Sequence, residues 1–161
     1  MIPTAMKPFV NLTAADIMSH DVVAIPQHLS VRKAAHLLAN ANVTGAPVID
    51  GLGVCVGVIS ATDFVHLADA ERRHVSRPRS ECVCSEWQVV EVENLPNDEV
   101  RDYMTPDPVT VRPSIRLTEL ARMMLDAHIH RLIVVDAQGR PVGVVSSTDV
   151  LAAVAYAEHT N

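Results

Sequence analysis

Two short phrases hold the residues best suited to chemistry, and they are nearly the same phrase. Gly57-Val58-Ile59-Ser60-Ala61-Thr62-Asp63 returns as Gly143-Val144-Val145-Ser146-Ser147-Thr148-Asp149. Each sets a serine three residues before an aspartate, where an apolar run passes into a helix. Free N–H groups and the helix dipole favour an anion at such a helix start. The carboxylate, one turn on, can accept hydrogen bonds from both hydroxyls of a ribose. Gly57 and Gly143 have no Cβ, so a ligand or a second stretch of backbone can come close to the strand. Ser-x-x-Asp ahead of an apolar run is also a capping box, which stabilises a helix by ~1 kcal/mol with no ligand at all. Both readings stand at this point, since one hydroxyl can serve both.

The elements around these phrases are duplicated too. At an offset of 86 residues, Asp16–Val65 aligns with Asp102–Leu151 without a gap, and 15 of the 50 pairs are identical. The chain is a tandem repeat. A copy of about 55 residues is marginal alone, so the two copies are expected to share one core and to form a cleft with near two-fold symmetry. Helical turns are predicted at residues 13–18 and 97–104, then short strands at 22–25 and 109–111. Ser30 can cap a helix, and Ser114 lies near the start of its counterpart. Val31, Ala34, Ala35 and Leu38, then Leu117, Leu120, Ala121 and Met124, recur at i, i+3, i+4 and i+7, the stripe of a helix packed on one face. Strands at 46–49 and 132–135 lead through turns containing Gly51, Gly53 and Gly139 into strands at 54–59 and 141–145. A last helix reaches about Ala70 or Ala157. The unit is β-α-β-β-α, twice, an α/β fold of the α+β type. Boundaries follow: a tail 1–12, copy one 13–70, a linker 71–96, copy two 97–157 and a tail 158–161. Trp87–Val90 reads as a strand within the linker.

Net charge is −6, which argues against a general nucleic-acid surface and leaves room for a local cationic pocket. The cluster Arg72, Arg73, His74, Arg77 and Arg79 reads as a solvated helix end running into the linker. Three cysteines without a spaced framework suggest reduced thiols and a cytoplasmic home. Cys82-Val83-Cys84 lacks the second pair that a zinc site wants, so no metal is expected. Neither a signal peptide nor a membrane span is evident. Nucleophile elbow, Walker loop and paired cysteine nucleophile are all missing, so no catalytic residue is assigned and no enzyme is expected.

The ordered set resembles the CBS domain, named after cystathionine β-synthase, which normally comes as a tandem pair. The resemblance is carried by Asp16-Ile17-Met18, Asp102-Tyr103-Met104-Thr105, Ala46-Pro47-Val48-Ile49-Asp50, His130-Arg131-Leu132-Ile133-Val134-Val135-Asp136 and both Gly-Val-x-Ser-x-Thr-Asp phrases. It implies a pseudo-symmetric pair with two clefts, which in many members hold AMP, ADP, ATP or another adenosyl ligand. No cofactor is required; the nucleotide is a regulatory ligand. In the family the Asp takes the ribose, and the Ser or Thr three residues earlier lies near the phosphate. His130-Arg131 holds the place of a pair that often reaches phosphate oxygens, suited by the forked guanidinium. Copy one has Thr44-Gly45 there, so unequal sites are expected. Ser60, Thr62, Asp63, Ser146, Thr148 and Asp149 are the polar candidates. Ile25, Val111, Ala46, Pro47, Leu132 and Ile133 are the candidate apolar walls for an adenine. The resemblance also implies a homodimer and an effector protein. The small apolar surface of the last helix suits dimer packing, and packing within the chain nearly as well. Two other functions compete: a dimerisation scaffold in which the phrases only cap helices, and a thiol- or metal-responsive switch at Cys82 and Cys84.

Overall fold

The computed structural model describes residues 11–74 and 95–157. In chain order the elements are α1 (Ala14–Ile17), β1 (Ile25–Pro26), α2 (Val31–Asn40), β2 (Gly45–Ile49), β3 (Cys55–Ser60), α3 (Ala61–His74), β4 (Thr105–Pro106), β5 (Thr110–Val111), α4 (Leu117–Ala127), β6 (Arg131–Val135), β7 (Pro141–Ser146) and α5 (Ser147–Ala157). One 3₁₀ turn, Val100–Asp102, stands where copy two repeats α1.

These elements gather into two compact units. The first-copy unit holds Val23–Leu52 and Val56–Asp107; the second-copy unit holds the segment ending at Val22, Gly53–Cys55 and the chain from Pro108 onward. The first contains a sheet of order β1-β2-β3-β4, the second a sheet of order β5-β6-β7. Each unit has its own core cluster, which corrects the expectation of one shared core. Both cores nevertheless draw on both copies. Val100 of copy two, with Leu95 of the linker, lies in the first, and Ala14 of copy one lies in the second.

The helices form for local reasons. Ser30 is extended, its hydroxyl accepts the Lys33 N–H at 3.4 Å, and Val31, Ala34, Ala35 and Leu38 are all buried. In α4 the cap position falls to Arg116, whose N–H donates to the Glu119 carboxylate at 3.4 Å. Ser114 is not the cap: Ile115 N–H donates to Arg112 C=O at 3.1 Å, closing a turn through Pro113 and Ser114. Leu117, Leu120 and Met124 are buried, and Ala121 half-buried. The first strand lies later than expected, because β2 offers Val48 and Ile49 as parallel partners for Ile25 and Pro26. Val22 instead donates to His20 C=O at 3.0 Å. Helix α3 continues to His74, past the expected end at Ala70. The Trp87–Val90 strand, Cys82, Cys84, Arg77 and Arg79 lie outside the described residues.

Both hairpin turns need a left-handed glycine, Gly53 at φ 81° and Gly139 at φ 79°. Asp136 fastens the second: Oδ1 accepts Arg140 N–H and Gln138 N–H, each at 2.9 Å, and Oδ2 accepts Arg140 Nε at 2.9 Å. The Arg140 backbone N–H above all holds that carboxyl below its usual range.

The two copies exchange their leading segments. Ala14 N–H donates to Ile115 C=O, Ala15 N–H to Pro113 C=O and Leu117 N–H to Leu12 C=O, each at 2.9 Å. Shifted by the repeat offset, the same three bonds recur in the other unit: Val100 N–H to Leu29 C=O, Arg101 N–H to Gln27 C=O and Val31 N–H to Asp98 C=O. Beyond them Ser19 pairs with Val144, and Thr105 pairs with Val58. Each unit is therefore the body of one copy closed by the opening segment of the other.

Candidate functional site

The repeated phrase sits at the β3–α3 junction in one unit and at β7–α5 in the other. Ser60 N–H donates to Asp63 Oδ2 at 2.7 Å and Ser60 Oγ to the same oxygen at 2.8 Å. Ser146 makes both bonds to Asp149 Oδ2 at 2.7 Å, and Asp149 N–H donates back to Ser146 Oγ at 3.2 Å. The carboxylate half of a capping box is thus formed in both copies, and the return bond, from Asp149 N–H to Ser146 Oγ, is made in copy two. The carboxylate half uses a single oxygen, and among the described residues neither Asp63 nor Asp149 makes a bond through Oδ1. Both aspartates and both serines are half-buried, whereas Thr62 and Thr148 are exposed. Each helix is also tied to the chain ahead of the neighbouring strand: Ala61 N–H donates to Thr44 C=O and Ser147 N–H to His130 C=O, both at 2.9 Å.

Strand register decides which neighbours share the serine's face. Arg131 pairs with Ser146, Ile133 with Val144, and Thr110 with Ile133. Directly paired residues project to the same side of a sheet. Thr110, Arg131, Ile133, Val144 and Ser146 therefore line one face, with exposed Arg131 across from the serine. His130 is exposed beside it. Gly45 holds the Arg131 position in copy one; a Cβ there would meet Ile59 C=O at 3.3 Å and Ser60 Cβ at 3.6 Å. Among the described residues, the corresponding face of copy one carries no cation.

The same alternation sorts the apolar candidates. Ile25, Ala46, Val111 and Leu132 lie in the cores of their units, at 0 to 6% exposure. They close the sheets from behind rather than lining an open face. Ile133 is buried yet lies outside the core cluster, and Pro47 alternates with core residues Ala46 and Val48, so these two project to the serine side. Thr110, which shares the serine's face, is not among the residues singled out in the sequence; period-two alternation along β5 separates it from Val111.

Gly57 and Gly143 are buried, and the close approach they permit is made by the protein. A Cβ on Gly57 would fall 2.5 Å from Met104 Sδ and 2.9 Å from Thr105 C=O. One on Gly143 would fall 2.8 Å from Met18 Cγ and 3.1 Å from Ser19 C=O. At each glycine a methionine side chain and a backbone carbonyl of the other copy's opening segment come close to the strand. Among the described residues no three His, Cys, Asp or Glu side chains converge as metal ligands do, and no helix is long and apolar enough to cross a membrane.

Paired β-α-β-β-α copies with a Ser-x-x-Asp box at each strand–helix junction define a class, and the chain belongs to it: the CBS domain family matches residues 14–69 and 100–156. Among particular relatives, it is 34% identical over 149 residues to CBS domain-containing protein CBSX2, chloroplastic, of Arabidopsis thaliana, covering 88% of this chain and 63% of that protein. The chain thus spans less than two thirds of that relative's length. The crystal structure of CBSX2 in complex with AMP superposes with a TM-score of 0.69 at 30% identity, covering 91% of this chain and 98% of that one. The CBS domain pair of protein MJ0100, crystallised with 5′-methylthioadenosine and S-adenosyl-L-methionine, shares the fold at a TM-score of 0.68 and 22% identity, over 90% and 97% of the two chains.

Proposed function

We propose that the chain is a regulatory module that binds an adenosyl ligand at its strand–helix junctions. One observation carries the reading. Among the described residues, the aspartate in both copies caps its helix through Oδ2 alone, which leaves Oδ1 to accept a ribose hydroxyl. The likeness to CBSX2, whose structure holds AMP, supports it. In the second-copy unit Asp149 takes the ribose, while Ser146 and Arg131 take a phosphate. Thr110, Thr148 and His130 border them, and Ile133 offers an apolar wall. In the first-copy unit Ser60, Thr62, Asp63 and Pro47 repeat the arrangement without a cation, so a phosphorylated ligand prefers the second-copy unit. Signalling is a population shift, bounded by the ligand's differential affinity for two states. Exposed Leu151 and Val154 on α5 suit a homodimer contact, a cytoplasmic setting suits reduced thiols, and an effector protein reads the shift.

The competing scaffold reading has its own support, since each aspartate already accepts its serine's N–H and O–H without a ligand. Replacing aspartate by asparagine separates the two. The amide oxygen of Asn can keep the cap, but its second atom becomes a donor. Thermal unfolding is measured with AMP, ADP, ATP, S-adenosylmethionine and NAD, each at about 1 mM; a ligand at about 100 times its Kd adds about 2.7 kcal/mol. A rise in Tm of several degrees that vanishes in Asp63→Asn/Asp149→Asn, with the ligand-free Tm retained, is expected. No rise with any ligand would leave the scaffold as the function.

A further inference from the structure

The exchanged segments are held down by two thioethers. Met18 lies over Gly143 and Met104 over Gly57, each in the space that a Cβ would need. Met18 packs on the core of the second-copy unit and Met104 on that of the first-copy unit. Each is flanked by the backbone bonds that fasten its segment: Met18 N–H to Ala14 C=O at 2.8 Å, then Ser19 to Val144, and Met104 N–H to Val100 C=O at 2.9 Å. Both methionines are only half-buried, unlike Met124, which is 6% exposed.

We propose that Met18 and Met104 are modification sites for peroxides, and that their sulfoxidation releases the exchanged segments. A sulfur lone pair attacks one peroxide oxygen, an S–O bond forms and the O–O bond breaks. The departing hydroxide takes the proton of the sulfur-bound hydroxyl and leaves as water. Sulfur is oxidised by two electrons and the peroxide reduced by two. The product is a polar sulfoxide where a flexible apolar chain had been, pressed against a glycine chosen for lack of room. With a strong acceptor set against apolar neighbours, the segment gains by opening to water. The inference does not depend on the chain binding an adenosyl ligand.

The test treats the full chain with hydrogen peroxide, restores thiols with dithiothreitol, maps sulfoxides by peptide mass spectrometry and compares hydrogen exchange before and after. Sulfoxide is expected at Met18 and Met104 ahead of Met124, which is 6% exposed. Amides of Ala14, Ser19, Val144 and Val100 are then expected to exchange at least about tenfold faster while α2 stays protected. Treatment with a methionine sulfoxide reductase restores the original rates. Half-buried Met123 on α4 packs on the same core as Met18, so a Met123→Leu variant serves as the control and is expected to keep the response. Sulfoxide at both sites with unchanged exchange would overturn the proposal, as would oxidation of Met123 with Met18 and Met104 spared. A Met18→Leu/Met104→Leu variant loses the response; a persisting response also overturns the proposal. If that variant does not fold, the wild-type exchange data decide.

Discussion

The β3–α3 and β7–α5 junctions agree in their backbone and differ in what faces outward. Ser60 and Ser146 reach their aspartates at distances matching to about 0.1 Å, and the exchanged segments repeat bond for bond. Across the strand from the serine, however, one junction has Arg131 and the other Gly45. Duplication has kept the contacts that hold the fold and changed the residue that faces the serine from the neighbouring strand. The box is the common requirement; the cation is what makes the copies different.

Four experiments press on that comparison. The largest effect is expected at the glycines, and the copies should differ there as well. Gly57→Ala sets a Cβ 2.9 Å from Thr105 C=O, a backbone atom fixed by its pairing with Val58. Overpacking of this kind destabilises by about 2–3 kcal/mol. Gly143→Ala meets Ser19 C=O at 3.1 Å and a methionine chain that can swing aside, so about 1 kcal/mol is expected. Urea unfolding of both variants gives the order; equal losses would mean that the exchanged segments yield alike.

Next comes Asp149→Asn, measured by titration calorimetry with AMP. Losing a charged acceptor lowers affinity by about ten- to a hundredfold, and Asp63→Asn lowers it less if the second-copy junction is the phosphate site. Arg131→Ala should reduce AMP affinity by about tenfold and leave adenosine affinity unchanged, erasing the distinction between the copies. A parallel fall for adenosine would remove Arg131 from the phosphate.

The smallest effect is electrostatic and confined to the first-copy unit. Glu99 Oε2 meets His28 Nδ1 at 3.0 Å and Arg101 Nε at 2.7 Å. The His28 hydrogen bond, with the Arg101 charge beside it, holds the carboxyl below its ordinary 4.5. A lowered folded-state value stabilises above the unfolded one, so the contribution is present above 4.5 and is lost as pH falls through the folded value. These groups are exposed, so the effect is slight and screened by salt. Thr13, Ser114 and Ala15 occupy the matching positions in the second-copy unit. Hydrogen exchange under acid should therefore rise at Val100 before Ala14.

Much of this was legible in the sequence, and the reasons are local. The stripe of α2 buried all four predicted residues because helical period and core burial reinforce each other. The Ser-x-x-Asp boxes were readable because a cap is a contact over three residues. Strand positions near the junction were less so. Val111 and Leu132 stand as ligand walls in the sequence because hydrophobicity alone does not say which face a residue takes; the register does, and a bulge between Val134 and Val135 keeps it from being counted off the Gly139 turn. Ser114 failed as a cap because the Pro113 turn delayed the helix to Leu117. The exchange itself left no local trace. Nothing in Asp16-Ile17-Met18 indicates that its methionine rests on a glycine of the other copy, because the two glycines are alike and distant contacts are written in neither segment.

That exchange bears on how such a chain could have arisen. A gene bearing one copy would have encoded a body with an uncovered glycine and an opening segment with nothing of its own to cover. Two such molecules could satisfy each other only by trading segments, as an obligate pair whose existence depended on concentration. Joining the copies head to tail puts the two partners on one tether, at an effective concentration of about millimolar. Cutting the present chain between its copies should then yield two halves that are poorly folded apart and recover their structure when mixed.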